Sequence, residues 1–208
     1  MILFRQIDSR NAAALVVQHH YMHRRPPISV AFGLYVDNEP KGVVTFGVPG
    51  SHHMLLSACE KPQDVIELNR LWVADDMPPN TESYFLSQAL KKMPPKIVLS
   101  YADTAAGHVG YVYRAANFYY AGWTDMERKT PRFDYITPGK HSRDAFRDGA
   151  GVESEKVRRK PKIRYWTVTG NRKQKRDLEA RCLWPKLSWK EFPPPTEHKQ
   201  FNLASRKA

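Results

Sequence analysis

The chain has 208 residues, enough for one domain with a substantial core, and its 41% hydrophobic and 12% aromatic content excludes wholesale disorder. Its two cysteines, Cys59 and Cys182, are far apart and form no CxxC pair, which excludes a disulfide framework, and no apolar run is long enough for a signal peptide or a membrane span, so a cytoplasmic protein is expected. Of the formal net charge of +12, the stretch from Gly151 to Ala208 carries +10, with 16 Lys and Arg against 6 Asp and Glu, which points either to a polyanionic partner or to a solvated basic tail.

In chain order, Ile2–Phe4 reads as a strand and Asn11–Gln18 as a short helix opened by Ser9 or Asn11, followed by a loop over His19–Pro27. Ile28–Val36 and Gly42–Val48 read as a hairpin about the turn Asp37-Asn38-Glu39-Pro40, and Val65–Val73 as a further strand. After the loop Asp75–Pro79, Asn80 is placed to cap a helix whose apolar face is Phe85, Leu86, Ala89, Leu90 and Met93, stopped by Pro94-Pro95. Lys96–Leu99 is apolar enough for a strand buried on both faces and runs into Ser100-Tyr101-Ala102-Asp103. A helix over Gly107–Ala116 and a strand over Phe118–Trp123 follow, then strands at Phe133–Ile136 and Ile163–Val168 on either side of the polar stretch Gly139–Gly151, and finally an arm over Glu191–Ala208. Antiparallel pairing in front and strand–helix–strand crossovers in the middle imply a mixed sheet.

Three polar clusters lie at the edges of these elements: His19-His20-Tyr21-Met22-His23; Glu67-Leu68-Asn69-Arg70-Leu71-Trp72 running into Asp75-Asp76-Met77-Pro78-Pro79-Asn80-Thr81-Glu82-Ser83; and Ser100-Tyr101-Ala102-Asp103 with Gly107–Gly122. Taken together, over His20 to Thr124, they resemble the Mom family of phage DNA-modification enzymes. That family converts the exocyclic amine of adenine to a carbamoylmethyl form and protects phage DNA from restriction. The resemblance implies an acetyltransferase (GNAT) type α/β fold: a mixed, mostly antiparallel sheet with flanking helices. Residues 1–150 would form the catalytic domain and residues 151–208 a basic extension partly packed on it. Asn117-Phe118 stands where the superfamily carries Gly-Phe.

On the same resemblance His20, Tyr21, Arg70, Ser100 and Asp103 are the expected catalytic residues, with Asn80, Glu82, Ser83, Tyr101, His108, Tyr113, Asn117 and Tyr119 around the substrate. His20 would serve as a general base, or lie as a solvated loop residue. Arg70 would meet either the substrate or an ion-pair partner such as Glu67 or Asp103. Asp103 would line the site or cap a helix. Some of Tyr111, Tyr113, Tyr119 and Tyr120 are expected in the core and one or two against a flipped base. Trp166, Trp184 and Trp189 would contact nucleic acid or anchor the tail. Arg158, Arg159, Lys160, Arg172, Lys173, Lys175 and Arg176 are the expected phosphate contacts.

Double-stranded DNA is the expected partner and tRNA a second one. The acetyltransferase diphosphate site needs free N–H groups at the start of the motif helix, whereas Asp75–Glu82 has no glycine, two prolines and three carboxylates, which disfavours acetyl-CoA. A carbamoylmethyl product carries the atoms of glycine amide, so glycyl-tRNA is the expected donor and acetyl-CoA the alternative. Iron held by His19, His20 and His23 is a less favoured option. An ordinary N-acetyltransferase and a non-catalytic DNA-binding accessory protein are the other functional readings.

Overall fold

The computed structural model describes residues 1–124, 129–136 and 155–191. The Gly139–Gly151 stretch, the division at residue 150 and nearly all of the terminal arm lie outside these described residues.

Seven strands make one sheet: β1 (Ile2–Gln6), β2 (Val30–Val36), β3 (Glu39–Gly47), β4 (Val65–Val73), β5 (Ile97–Ala102), β6 (Tyr119–Trp123) and β9 (Ile163–Val168). Their order is β1-β2-β3-β4-β5-β9-β6, and β7 (Phe133–Ile136) pairs with β8 (Glu155–Arg158) in a separate ribbon. All neighbours in the large sheet are antiparallel except β4 and β5. The helices are α1 (Ser9–His19), α2 (His52–Ala58), α3 (Thr81–Lys92), α4 (Tyr111–Ala115) and α5 (Arg172–Arg181). The mixed, mostly antiparallel sheet, with a motif helix after β4 and a later strand–helix–strand unit, is the expected acetyltransferase-type arrangement. The strand Ile163–Val168, far beyond residue 150, lies inside this sheet between β5 and β6.

Side-chain alternation sorts the core into two layers. Val98, Ala102, Ile163 and Tyr165 pack with Phe85, Leu86 and Ala89 of α3 and Tyr113 of α4. Ile97, Leu99, Trp166 and Val168 turn the other way, onto Leu55 and Ala58 of α2 and Leu178 of α5. On that same face α1 sets Ala12 and Val16 against Ala31 and Val43.

Several boundaries differ from the sequence reading for identifiable reasons. The N-cap of α1 is Asp8, whose carboxylate accepts the N–H groups of Arg10 and Asn11, so the helix starts at Ser9 rather than Asn11. Asn80 holds the cap position of α3 in the left-handed conformation, with φ of 67° and no side-chain cap bond; the Ser83 hydroxyl donates to its carbonyl instead. The segment expected to be one helix from Gly107 breaks at Gly110, whose φ of +88° and close approach to the Tyr165 ring, 2.5 Å from where a Cβ would stand, leave no room for a side chain. A 3-10 turn at Thr104–Ala106 and the short α4 take its place.

The parallel ladder between β4 and β5 is short, Val65–Glu67 against Ile97–Leu99, and beyond it the strands part. The buried Ser100 hydroxyl donates to the Leu68 carbonyl at 3.2 Å, at the point of the fork. In the same place Asn69 is an extra residue in β4: Leu68 faces Phe46 and Arg70 faces Thr45, with no partner for Asn69 between them. Glu67 and Arg70, three apart, would sit on opposite faces of a regular strand; the bulge returns both to the α1 face.

Candidate active site

The parted strands enclose a cleft of about 460 Å³ that runs through the sheet. From the α1 side it is lined by His20, Tyr21, Met22, Glu67, Arg70 and Tyr101, and from the α3–α4 side by Glu82, His108–Tyr113 and Leu71, with Asp103 and Lys162 at the end where β5 stops.

The loop carrying His20 and Tyr21 is fixed by the bulge. Asn69 Nδ2 donates to Pro27 O at 2.7 Å, and Asn69 Oδ1 accepts from the Thr45 hydroxyl at 2.6 Å. Gly47 allows that crossing, because a Cβ there would come within 1.9 Å of Pro27 O. His20 is thereby held with 6% of its surface exposed, and its Nδ1 accepts the Met22 N–H at 3.1 Å. With Nδ1 accepting, the neutral ring carries its proton on Nε2, so His20 is a hydrogen-bond donor rather than the expected general base. Burial, then the positive field of Arg70, and His108, depress its pKa to about 4.

That shift has a consequence for stability. Above about pH 6.5 His20 is neutral in both folded and unfolded chains. Between 6.5 and about 4 the unfolded chain takes up a proton that the folded one refuses, so stability falls as pH falls, by up to about 3 kcal/mol at the lower limit. Urea unfolding between pH 4 and 7.5 is expected to show this loss, and His20→Gln to flatten that part of the profile; an unchanged profile in the variant assigns the effect elsewhere.

Arg70 is the charged centre of the cleft. Its Nη1 donates to the Asn69 carbonyl at 2.5 Å, while its buried Nε has no hydrogen-bond partner, and among the described residues no carboxylate lies within ion-pair distance of it. Burial lowers its pKa, yet a guanidinium remains charged. Glu67 is half-buried, and burial raises its pKa, against the opposing pull of Arg70 and Lys162. The Tyr101 hydroxyl, raised by burial and by Glu67, donates to the Met54 sulfur. Tyr21 leaves 48% of its surface open, its ring 5.0 Å from that of His108, while desolvation and Asp103 raise its hydroxyl pKa. Tyr113 forms the buried floor with its pKa pushed up to about 12 by burial. At the rim Glu82 is open to solvent, its carboxyl raised by partial desolvation and by Asp75.

Of the residues expected at the site, His20, Tyr21, Arg70, Asp103, Glu82, Tyr101, His108 and Tyr113 therefore converge. The others do not line the cleft. Ser100 is fully buried at the fork. Asn80 and Ser83 form the turn that starts α3. Asn117 has φ of 60° and donates its N–H to the Arg114 carbonyl, a left-handed turn that explains why the superfamily keeps glycine there. Tyr119 lies on the α5 face, its hydroxyl donating to Glu179 at 2.6 Å with Lys186 over its ring. Asp103 accepts the Ala105 N–H as a cap and borders the cleft, where it pairs with Lys162 at 2.8 Å rather than with Arg70. Lys162, Asn69 and Met22 were not expected, and Glu67 was foreseen only as a partner for Arg70. Trp166 and Trp184 are buried and Trp189 stacks on Tyr165, so all three serve packing.

The residues do not suit an iron site. His19 stacks on Trp72 at 4.1 Å, His23 Nδ1 meets the Val17 carbonyl, and His20 Nδ1 is engaged, so the three rings diverge. Nor do they suit a diphosphate at the start of α3, where Pro78 and Pro79 lack N–H groups, the Thr81 N–H is spent on Pro78 O, and Glu82 faces the cleft. The expected phosphate contacts fall into two groups, Arg158, Arg159 and Lys160 on the ribbon, and Arg172, Lys173, Lys175 and Arg176 on α5. No helix among the described residues is long and apolar enough to cross a membrane.

The model of the Mom protein family matches residues 1–178 of the chain. The methylcarbamoylase Mom of Escherichia phage Mu is 32% identical over 124 residues, which cover 56% of this chain and 48% of that protein; the match thus spans about half the length of that relative. Similar solved structures include a polyamine N-acetyltransferase of Drosophila melanogaster, 10% identical over 81% of this chain and 100% of that one with a TM-score of 0.47. A GNAT-family acetyltransferase of Bacillus cereus is 13% identical over 82% and 99%, with a TM-score of 0.46. An acetyltransferase of Salmonella typhimurium solved with acetyl-CoA is 7% identical over 82% and 95%, with a TM-score of 0.45.

Proposed function

Because the chain belongs to the Mom protein family, we propose that it modifies adenine in DNA, converting the exocyclic amine to a carbamoylmethyl amine with glycyl-tRNA as the donor. The observation that carries this reading is the cleft itself: a through-sheet slot holding an unneutralised Arg70, a neutral His20 and a half-buried Glu67. A cleft holding a cation, a hydrogen-bond donor and a carboxylate together suits acyl transfer to an amine. The adenine must leave the duplex to reach it, and the exposed rings of Tyr21 and His108, 5.0 Å apart and tilted by 51°, offer aromatic surface for the extruded base.

In the first step the adenine amine attacks the glycyl ester carbonyl. A new C–N bond forms, the ester C–O bond breaks, and the tRNA terminal hydroxyl leaves with a proton. Arg70 and the Nε2–H of His20 stabilise the oxyanion, and Glu67 accepts the proton released from the amine. In the second step the free glycyl amine attacks the ring carbon bearing the acylated nitrogen, giving a five-membered spiro intermediate. Expulsion of the original nitrogen from the ring carbon leaves it as a primary amide. The second step is an isomerisation and needs no oxidant or further reactant. Glu82 at the rim, with Asp75 nearby, would receive the glycyl ammonium before it is deprotonated.

Nucleosides from cells expressing the protein, examined by mass spectrometry, are expected to contain the carbamoylmethyl adenine. With purified protein and glycyl-tRNA carrying a nitrogen label in the glycyl amine, the label is expected on the purine ring. Label in the terminal amide overturns the rearrangement, and unmodified DNA from cells holding soluble protein overturns the reading as a whole.

A further inference from the structure

We propose that the β7–β8 ribbon is the element that holds duplex DNA beside the cleft, through the face bearing Phe133, Lys156 and Arg158, and that the basic surface of α5 takes no part in that grip. The proposal rests on the reading of DNA as the substrate.

The ribbon is separate from the main sheet. Its described stem, residues 129–136 and 155–162, carries seven Lys and Arg against Asp134 and Glu155. The register sets Phe133 directly across from Arg158, so the two share a face, and Lys156, two residues along β8, shares it too. Phe133 is 39% exposed, and Lys156 Nζ stands 4.4 Å from its ring centroid. A half-exposed aromatic ring with Lys156 over it and Arg158 opposite it on the same face has little to gain in water. Against a sugar–phosphate backbone it can neutralise two phosphates and cover a sugar or base edge. A two-stranded ribbon is also of a width that the major groove admits.

Its root is tied to the cleft. The Thr124 N–H donates to Lys162 O at 2.8 Å, the Lys162 N–H to the Thr124 hydroxyl at 2.8 Å, and the Thr104 hydroxyl to Pro161 O at 2.6 Å. The Lys162 ammonium then reaches Asp103 in the cleft at 2.8 Å. The α5 surface lies at the other end of β5: the Thr169 hydroxyl, three residues before Arg172, donates to Pro94 O, just ahead of the strand, whereas Asp103 follows it. The six residues of β5 separate the two ends by about 17 Å. A duplex with its target base in the cleft lies against the ribbon first.

Affinity for a labelled duplex oligonucleotide, measured by fluorescence anisotropy across a salt series, tests this. The double reversals K156E/R158E on the ribbon and K173E/R176E on α5 alter net charge equally, so any difference between them reports position. The ribbon variant is expected to bind at least about tenfold more weakly at 0.1 M salt, with a salt slope reduced by about 2. The α5 variant is expected to stay within about twofold of the native protein. The neutral pair K156Q/R158Q should give the same slope change, and thermal melting checks that each variant is folded. An unchanged slope in the folded ribbon variants, or an equal loss in the α5 variant, overturns the proposal. A native protein with no measurable affinity for duplex overturns the functional reading on which it rests, and the proposal with it.

Discussion

Replacing Arg70 by Gln is expected to slow adenine modification by about 10²–10³-fold, the range found when one donor to a developing oxyanion is removed. Binding of duplex DNA should change little, because the proposed grip on the backbone is through the β7–β8 ribbon. The expectation follows from how Arg70 is held. Its one hydrogen bond is to the carbonyl of its neighbour Asn69, and its Nε is buried without a partner. A guanidinium in that condition contributes little to stability, since burial costs it hydration and, among the described residues, Glu67 attracts it without forming an ion pair. The Gln variant should therefore melt at the same temperature as the native protein or slightly above. Loss of activity with retained stability is the signature of a residue kept for its effect on substrate. Arg70→Lys is not expected to restore the rate, because an ammonium cannot reproduce the planar donor fork. Single-turnover rates with labelled glycyl-tRNA check the first expectation, and a variant with near-native rate removes Arg70 from the chemistry.

Much of the scaffold behind this site was legible. The bounds Val65–Val73 and Ile163–Val168 agree with the structure because both are rich in β-branched and aromatic residues and begin and end on Val or Ile, and α3 announced itself through Phe85, Leu86 and Ala89 at helical spacing. The Asn69 bulge was not legible. Its partners Thr45 and Pro27 are 24 and 42 residues away, so the event that brings Glu67 and Arg70 to one face is settled by tertiary contacts. The same holds for Lys162, whose place in the cleft depends on Thr124, 38 residues earlier, and on Asp103, 59 residues earlier. For α5 a signal existed and was overlooked. Asn171 and Gln174 form a reciprocal capping box, but Leu178 is the helix's single buried side chain, too little for apolar periodicity to show. Tyr119 was misplaced for another reason. In a run as aromatic as Tyr111–Trp123, strand parity decides which face each ring meets, and the pairing of Tyr119 with Trp166 and of Tyr120 with Tyr165 turns Tyr119 to the α5 face.

Glu67→Gln is expected to lower the rate of the first step by about 10²–10⁴-fold at neutral pH, the usual contribution of a positioned general base. Glu67 lies on β4 just ahead of the bulge, on the face shared with Tyr101, and borders the cleft with Arg70 and Lys162. Burial raises its carboxyl, and the two cations restrain that rise, so it titrates above the ordinary glutamate value near 4.3. A base must be ionised to accept the amine proton. The native rate should therefore fall as pH drops through this raised pKa, an acid limb displaced toward neutrality. Gln keeps the size of the side chain and removes both the base and its titration, so the residual rate of the variant should show no acid limb in that range. His20, acting as a neutral donor through Nε2–H, is not expected to supply that limb. Rates of glycyl transfer at pH 4.5 to 8, measured on native and variant protein with duplex affinity checked in parallel, separate the two. A Glu67→Gln variant that is slow but retains the native limb makes Glu67 a positioning residue for Arg70, and one that is neither slow nor altered in its pH profile removes it from the reaction.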